Sequence, residues 1–257
     1  MADRQRPDPA KCLGPQAYRS WRGSELGRIT ETLEQGLILS LIGDPKNADL
    51  LDVGCGDGAL AVALAERGAS VVGLDASAAM IEASRDRASR HDSALSLCIG
   101  RAEELPFAEE SFDLIVAVTI LCFVAEAERT FQEMGRVLRP GGKLVIGELG
   151  KWSTWAAARR IRGWFGSSLW RQGYFRTPAE LQRLARIGGL QPGAVRGAVY
   201  YPRSTLAARY LSPLDARLSR ITPMGAAFLA LSATKPPSPA GSATPAATGL
   251  HDSEPIS

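Results

Sequence analysis

The chain is poor in the residues that bind metals, form disulfides and carry most acid–base chemistry. Its four cysteines, Cys12, Cys55, Cys98 and Cys122, include no C-x-x-C pair, so neither a metal site nor a disulfide framework is expected. There are two histidines. His251 lies in a stretch of Pro, Ser, Ala and Thr, and His91 in a polar one, both settings of solvated surface. The longest apolar run, 114–125, is broken by Thr119 and falls short of the roughly 20 residues that a spanning helix needs. The opening residues, MADRQRPDPAKCLG, hold no apolar stretch, so no secretory signal is expected and a cytoplasmic location is the default. Acids are scarce in one region. Residues 151–210 carry Lys151 and ten arginines against Glu180, a local charge of +10 that leaves −7 for the rest of a chain whose net charge is +3. That asymmetry suits a basic face meeting an anionic partner, and equally a solvated arginine-rich surface.

With 257 residues, 45% of them hydrophobic and 22% charged, the chain can bury a sizeable core in one large α/β domain. Its centre of organisation is LLDVGCGDGAL, residues 50–60. Leu50, Leu51 and Val53 read as a buried strand ending near Asp52, and Gly54, Gly56 and Gly58 as a tight loop opening a helix. Glycines there permit positive φ and let a ligand approach bare backbone, while the helix N-terminus adds free N–H donors. Val71-Val72-Gly73-Leu74-Asp75 is a second strand, whose Asp75 follows Gly58 by 17 residues. An acid at that place accepts hydrogen bonds from ribose hydroxyls. Gly54, Gly56 and Ala59 also satisfy the dinucleotide fingerprint, so NAD and S-adenosylmethionine both stay open at this point.

In chain order, Leu33, Leu37 and Leu41 mark the buried stripe of a helix over 30–42. Strands follow at 49–53, 70–75, 94–99 and 112–118, with helices at 59–67, 78–89 (capped by Ser77) and 126–137. Arg139-Pro140-Gly141-Gly142 is a turn feeding a fifth strand, 143–148. A helix over 177–187, strands at 194–200 and 225–233, and a connection over 201–224 complete the domain. Residues 236–257 read as a disordered tail. Such alternation calls for a doubly wound parallel sheet with its ligand at the strands' carboxyl ends.

Together these motifs resemble the class I S-adenosylmethionine-dependent methyltransferases, of the methyltransferase domain 11 type that includes ubiquinone/menaquinone C-methyltransferases and small-molecule O-methyltransferases. The resemblance rests on LLDVGCGDG, GLDAS, RAEELPFAEESFDLIVAV and RVLRPGGKLVI, in that order. It implies a Rossmann-like seven-stranded sheet of order 3-2-1-4-5-7-6 with the last strand antiparallel. It implies one domain over 1–235: an N-terminal cap helix at 18–43, a core at 48–150, an aromatic and basic cap segment at 151–176, and a helix and strands at 177–235. It also implies S-adenosyl-L-methionine as cofactor. Asp52 and the Gly54/Gly56 backbone would hold its methionine end, Asp75 its ribose, and Ala76 and Met80 would line its adenine, with Cys55 a compact side chain of the same cofactor-binding loop. Where the family has an acid that bonds the adenine amino group, this chain has Arg101, which cannot accept that bond. Glu103, or backbone around Ala102, is left to do so. Thr119 after the fourth strand joins the cofactor set. Tyr18 and Trp21 resemble an N-terminal Tyr-x-x-Trp that folds over the cofactor, with packing of the first helix as the alternative. Arg28 is a weaker candidate for the methionine carboxylate.

Methyl transfer from a sulfonium needs alignment above all, worth up to roughly 7–11 kcal/mol in the best model systems. A general base is optional, and Glu148, Tyr174 and Tyr200 are candidates without a clear claim. No Asn/Asp-Pro-Pro-aromatic loop follows the fourth strand, so no nucleic-acid partner is expected. Residues 152–175 interleave Trp152, Trp155, Trp164, Phe165, Trp170, Tyr174 and Phe175 with Arg159, Arg160, Arg162 and Arg171. Trp155, Ala158, Ile161 and Trp164 recur at helical spacing. That face suits a lid over a small-molecule or lipid-like acceptor, or a helix lying on an anionic membrane surface. A helix packed on the domain is the plain alternative. An NAD(P)-binding oxidoreductase, or a cofactor-binding module without turnover, are the rival readings.

Overall fold

Seven strands form one sheet in the order β3-β2-β1-β4-β5-β7-β6. They are β1 (Asp49–Val53), β2 (Ser70–Asp75), β3 (Leu95–Ile99), β4 (Phe112–Val118), β5 (Leu138–Leu149), β6 (Gln191–Ala198) and β7 (Phe228–Thr234). All pairs are parallel except those made by β7, which runs antiparallel to both β5 and β6. The computed structural model describes residues 14–164 and 173–237. Most of the expected tail and residues 165–172 of the cap segment lie outside the described residues.

The central strands read as unbroken apolar runs because both faces are covered. Leu51, Ile115, Leu144 and Leu231 point to one core with Phe131, Met134, Leu181 and Leu184. Their neighbours Leu50, Leu114, Val145 and Ala230 point to the other, with Leu37, Ile38, Ala61 and Leu64. The first core packs under α5 (Ala127–Val137) and α7 (Pro178–Ile187), the second under α2 (Glu25–Ile42), α3 (Ala59–Ala65) and α8 (Thr205–Ile221). α1 (Pro15–Gly23), α4 (Ala78–Arg90) and α6 (Thr154–Trp164) complete the helices among the described residues.

Local chemistry fixes the ends. Ser24 caps α2 by accepting from the Gly27 N–H, and Thr177 and Glu180 form a reciprocal capping box on α7. Ser77 sits at the N-cap of α4, but its side chain makes no capping bond.

Four expectations need correction. The buried residues of α2 are Gly27, Thr30, Leu37, Ile38 and Ile42, while Leu33 and Leu41 pack on the same core but stay half-buried, at the edge of the stripe rather than its centre. β5 begins at Leu138 rather than after the Pro-Gly-Gly turn. Phe112 pairs with Leu138 and Leu114 already pairs with Lys143, so residues 139–142 bulge out of a continuing strand, with Gly141 at φ 79°. β6 starts earlier and β7 later than the apolar pattern suggests. Finally, the 201–224 connection contains the 17-residue helix α8.

Candidate active site

The carboxyl ends of β1, β2 and β4 open onto a three-lobed cleft. Tyr18 of α1 and Thr119, just past β4, line all three lobes. Thr119 adopts φ 56°, a left-handed backbone that β-branched residues rarely take, and its N–H is held by the Gly147 carbonyl at 2.7 Å.

The first lobe runs over the glycine loop, past Asp52, Gly54, Cys55 and Gly56 to Arg22, Glu31 and Glu34. The loop needs its glycines, since Gly54, Gly56 and Gly58 have φ of 75°, 56° and 77°. A Cβ on Gly58 would stand 2.3 Å from Ser84 Oγ, so only glycine lets α4 pack there. Asp57 is buried within this loop and accepts hydrogen bonds from Arg22 of α1 and from Arg87 Nη2 of α4 at 2.7 Å. Asp52 is 2% exposed, and its Oδ2 has no hydrogen-bond partner among the described residues. Burial and the charge of Asp75 push its carboxyl up to about 7. Cys55 is a buried member of the same loop. Its Sγ lies against Gly73 of β2, and burial raises its thiol pKa, so it is an inert packing residue.

The second lobe lies beyond Asp75, among Ala76, Met80, Arg101, Ala102 and Glu103, with Ile120 and Phe123 opposite. The Asp75 carboxylate accepts the Gly56 N–H at 2.9 Å on one oxygen and the Ser77 N–H at 2.8 Å on the other. It therefore ties the glycine loop to the start of α4. Arg101 points outward and pairs with Glu103 at 2.9 Å, so the position where the family has its acid holds a surface ion pair that anchors Glu103 at the cleft edge.

The third lobe is an outer cavity of about 290 Å³, walled by Trp21, Phe123, Leu149 and Trp155. Trp155 is buried and donates its Nε1–H to the Tyr201 carbonyl at 2.8 Å. Its ring meets Trp21 edge-on, with centroids 5.9 Å apart. The expected single face of α6 is thus split. Trp155 packs inward, while Ile161 and Trp164 stand 48% and 81% exposed at the far end. Phe165 and Trp170 lie outside the described residues.

Arg28 is corrected. It turns away to the Gly23 carbonyl at 2.7 Å and lines none of the lobes. Arg22, six residues earlier on α1, lines the cleft instead. Sequence reasoning also missed Glu31, Glu34 and Arg203. The available signal was the Glu31/Glu34 spacing, which places both acids on one face of α2.

Glu148 is fully buried at the end of β5, with one oxygen accepting the Leu149 N–H at 3.3 Å and the other unpartnered among the described residues. Burial pushes its carboxyl up to about 8, against the opposing pull of nearby N–H groups and Arg176. The raised value means that the native state holds a proton the unfolded chain has released, so stability is full below about pH 4.5 and falls as pH rises toward 8. Glu148→Gln is expected to remove roughly 1 kcal/mol of the loss between pH 7 and pH 8. Urea unfolding of both proteins at the two pH values checks this, and equal pH slopes would contradict it.

Comparison with known proteins agrees with this fold. Residues 51–146 match the model of a methyltransferase domain. An uncharacterised protein of Mycobacterium tuberculosis is 31% identical over 220 residues, covering 84% of this chain and 70% of that protein. A ubiquinone biosynthesis O-methyltransferase of Idiomarina loihiensis is 29% identical over 159 residues, covering 60% of this chain and 65% of the relative. Among solved structures, an S-adenosylmethionine-dependent methyltransferase of Thermotoga maritima superposes with a TM-score of 0.66 at 23% identity, covering 86% of this chain and 95% of that one. The chain spans 20% to 65% of the length of the curated relatives it matches first. Among the described residues no helix is long and apolar enough to cross a membrane. The matched core, the sheet order and the glycine loop beside Asp75 agree: the chain belongs to the class I S-adenosylmethionine-dependent methyltransferase family.

Proposed function

We propose that the chain transfers the methyl group of S-adenosylmethionine to a small-molecule acceptor held in the outer cavity. The observation that carries this reading is continuity. Tyr18 and Thr119 line both cofactor-side lobes and the outer cavity, so two bound molecules would meet beside them. The donor set fits the cofactor. The orphaned Asp52 Oδ2, in a carboxyl whose ionisation is opposed by burial and Asp75, suits the cationic methionine end. Asp75 suits the ribose, and Met80 with Ala102 offers an apolar slot for adenine. The ubiquinone O-methyltransferase relative supports a small-molecule acceptor.

When bound, the cofactor supplies an electrophilic methyl on a positively charged sulfur. The chain's part is to align and to exclude water. Tyr18 and Trp21 on α1 close over the loop, and the Arg22–Asp57 contact fixes that helix to the glycine loop itself. Tyr18 is held neutral, its phenol pushed up to about 12 by burial, so it acts as a wall and hydrogen-bond donor rather than a base.

S-adenosylhomocysteine at one hundred times its Kd should stabilise the protein by about 2.7 kcal/mol. For a chain of this size that is a melting-temperature rise of roughly 5–10 °C. NADH at the same concentration should give none. A shift with NADH and none with S-adenosylhomocysteine would replace this reading with an oxidoreductase.

A further inference from the structure

Three guanidiniums converge on the outer cavity. Arg159 and Arg162 come from α6, and Arg203 comes from the link before α8. One acid, Glu34, lines the same space. Arg203 sits 5.9 Å from the ring centroids of both Trp21 and Trp155, so its head is stationed at the aromatic wall. Burial, and then the like charge of Arg162, both work against its protonation. No carboxylate pairs with Arg162 or Arg203 among the described residues. Arg162 and Arg203 are exposed at the cavity mouth and come from separate elements, so an anion seated between them would meet two guanidiniums. The cavity has room for a one-ring molecule, and its walls are aromatic.

Glu34 is the second element. It lines the outer cavity and also the lobe that holds Asp52 and the glycine loop, so it stands where acceptor and cofactor would adjoin. The groups around it are Arg159 from α6, Asp215 from α8, Tyr201 beside β6, and Glu31 one turn back on α2.

Resting on the proposed methyl transfer, we infer that the acceptor is a hydroxyl-bearing aromatic acid. Its anionic group is held by Arg162 and Arg203, its ring lies among Trp21, Phe123 and Trp155, and its hydroxyl faces Glu34. Glu34 takes the hydroxyl proton as an oxygen lone pair forms the new C–O bond. The pair from the broken S–C bond stays on sulfur, which becomes a neutral thioether. Burial, opposed by Arg159 and reinforced by Glu31 and Asp215, pushes the Glu34 carboxyl up to about 7, so its basic form fills as pH rises through neutrality.

The test uses the full chain saturated with S-adenosylhomocysteine and a calorimetric panel of monocyclic hydroxyaryl carboxylates with their carboxamides. At least one carboxylate should bind about tenfold or more tighter than its amide, and R162Q/R203Q should erase that preference. The single variants R162Q and R203Q should each lose part of it. Turnover of that carboxylate with S-adenosylmethionine should rise with pH to a plateau above about 7. Glu34→Gln should lower kcat and abolish that limb, which a merely structural role would leave in place. Equal affinity for acid and amide, a preference that survives in the double variant, or no binding by any panel member overturns the inference while the cofactor reading stands. A pH limb retained in Glu34→Gln overturns the role of that residue. Failure of S-adenosylhomocysteine to bind at all overturns the underlying reading instead.

Discussion

Asp75→Ala is expected to weaken S-adenosylhomocysteine binding by at least roughly 10–150-fold, the equivalent of one set of charged hydrogen bonds at about 1.5–3 kcal/mol. Two losses combine. A carboxylate offers about four lone-pair sites. In Asp75 two of them accept the N–H groups of Gly56 and Ser77, at 2.9 Å and 2.8 Å. The proposed ribose contacts would be made by the same carboxylate. Alanine removes the contacts to the ligand and also frees a glycine loop whose residues lie at positive φ, where the backbone has many alternatives. Asp75→Asn separates the two effects. Its amide keeps one acceptor oxygen and turns an NH2 toward either Gly56 or Ser77, so it should fall between wild type and alanine. Isothermal titration on variants whose melting is first shown to be cooperative gives the answer. A folded Asp75→Ala protein with wild-type affinity would remove Asp75 from the cofactor site.

Much of this arrangement was legible in the chain because the signals are local. A strand, a glycine loop and a helix start occur within eleven residues, and each glycine there proves to have a positive φ or no room for a Cβ. The sheet order came from resemblance rather than periodicity, since nothing in a run such as FDLIVAV says which strand lies beside it. Boundaries failed where chemistry and periodicity part company. Pro-Gly-Gly at 140–142 looks like a stop, yet the strand goes on pairing with β4 in a shifted register after a bulge. Helix α8 went unread because Pro213 sits inside it and much of its apolar content, Leu206, Tyr210, Leu214 and Ile221, is exposed, leaving no clean buried stripe.

Side chains that act across the fold were the least legible. Asp215 of α8 is 2% exposed and accepts the N–H groups of Val199 and Tyr200, at 2.9 Å and 3.0 Å, at a strand end where Val199 takes φ 65°. No spacing in the sequence announces that bond. Glu34 and Arg203 are 169 positions apart, and each reads alone as an ordinary surface charge. The fold brings both to the lining of one cavity. The charge excess over 151–210 was visible. That part of it converges on an aromatic pocket, while Arg160 stacks 5.3 Å from Phe175 and Arg209 pairs with Glu25, needed the structure.

Asp57→Asn should lower unfolding free energy by about 3 kcal/mol, the lower end of what losing one partner of a buried ion pair costs. The lower end applies because side chains of Arg22 and Arg87 keep 23% and 25% exposure, and Arg22 retains Glu31 at 2.6 Å. Burial raises the Asp57 carboxyl, but the hydrogen bonds and charges of Arg22 and Arg87 outweigh it and hold it below its usual range. Because the folded value is depressed, this stabilisation is complete above the unfolded pKa near 4 and is lost as pH falls through the folded one. Asn cannot titrate, so the variant should show a shallower loss of stability in acid than wild type. The two arginines then divide the consequence. Arg22 belongs to α1, which carries Tyr18 and Trp21 over the cleft and has no fully buried residue of its own. Arg87 belongs to α4, which buries Met80, Ile81, Ser84 and Ala88. Losing the contact should therefore loosen α1 far more than α4. Amide hydrogen exchange reads this directly. Protection across residues 15–23 should fall in Asp57→Asn and in Arg22→Ala, while Arg87→Ala should spare it. Equal loss in all three would mean that Asp57 is a general strut of the loop, and retained protection across 15–23 in Asp57→Asn and Arg22→Ala would mean that α1 is held by Trp21 against Trp155 instead.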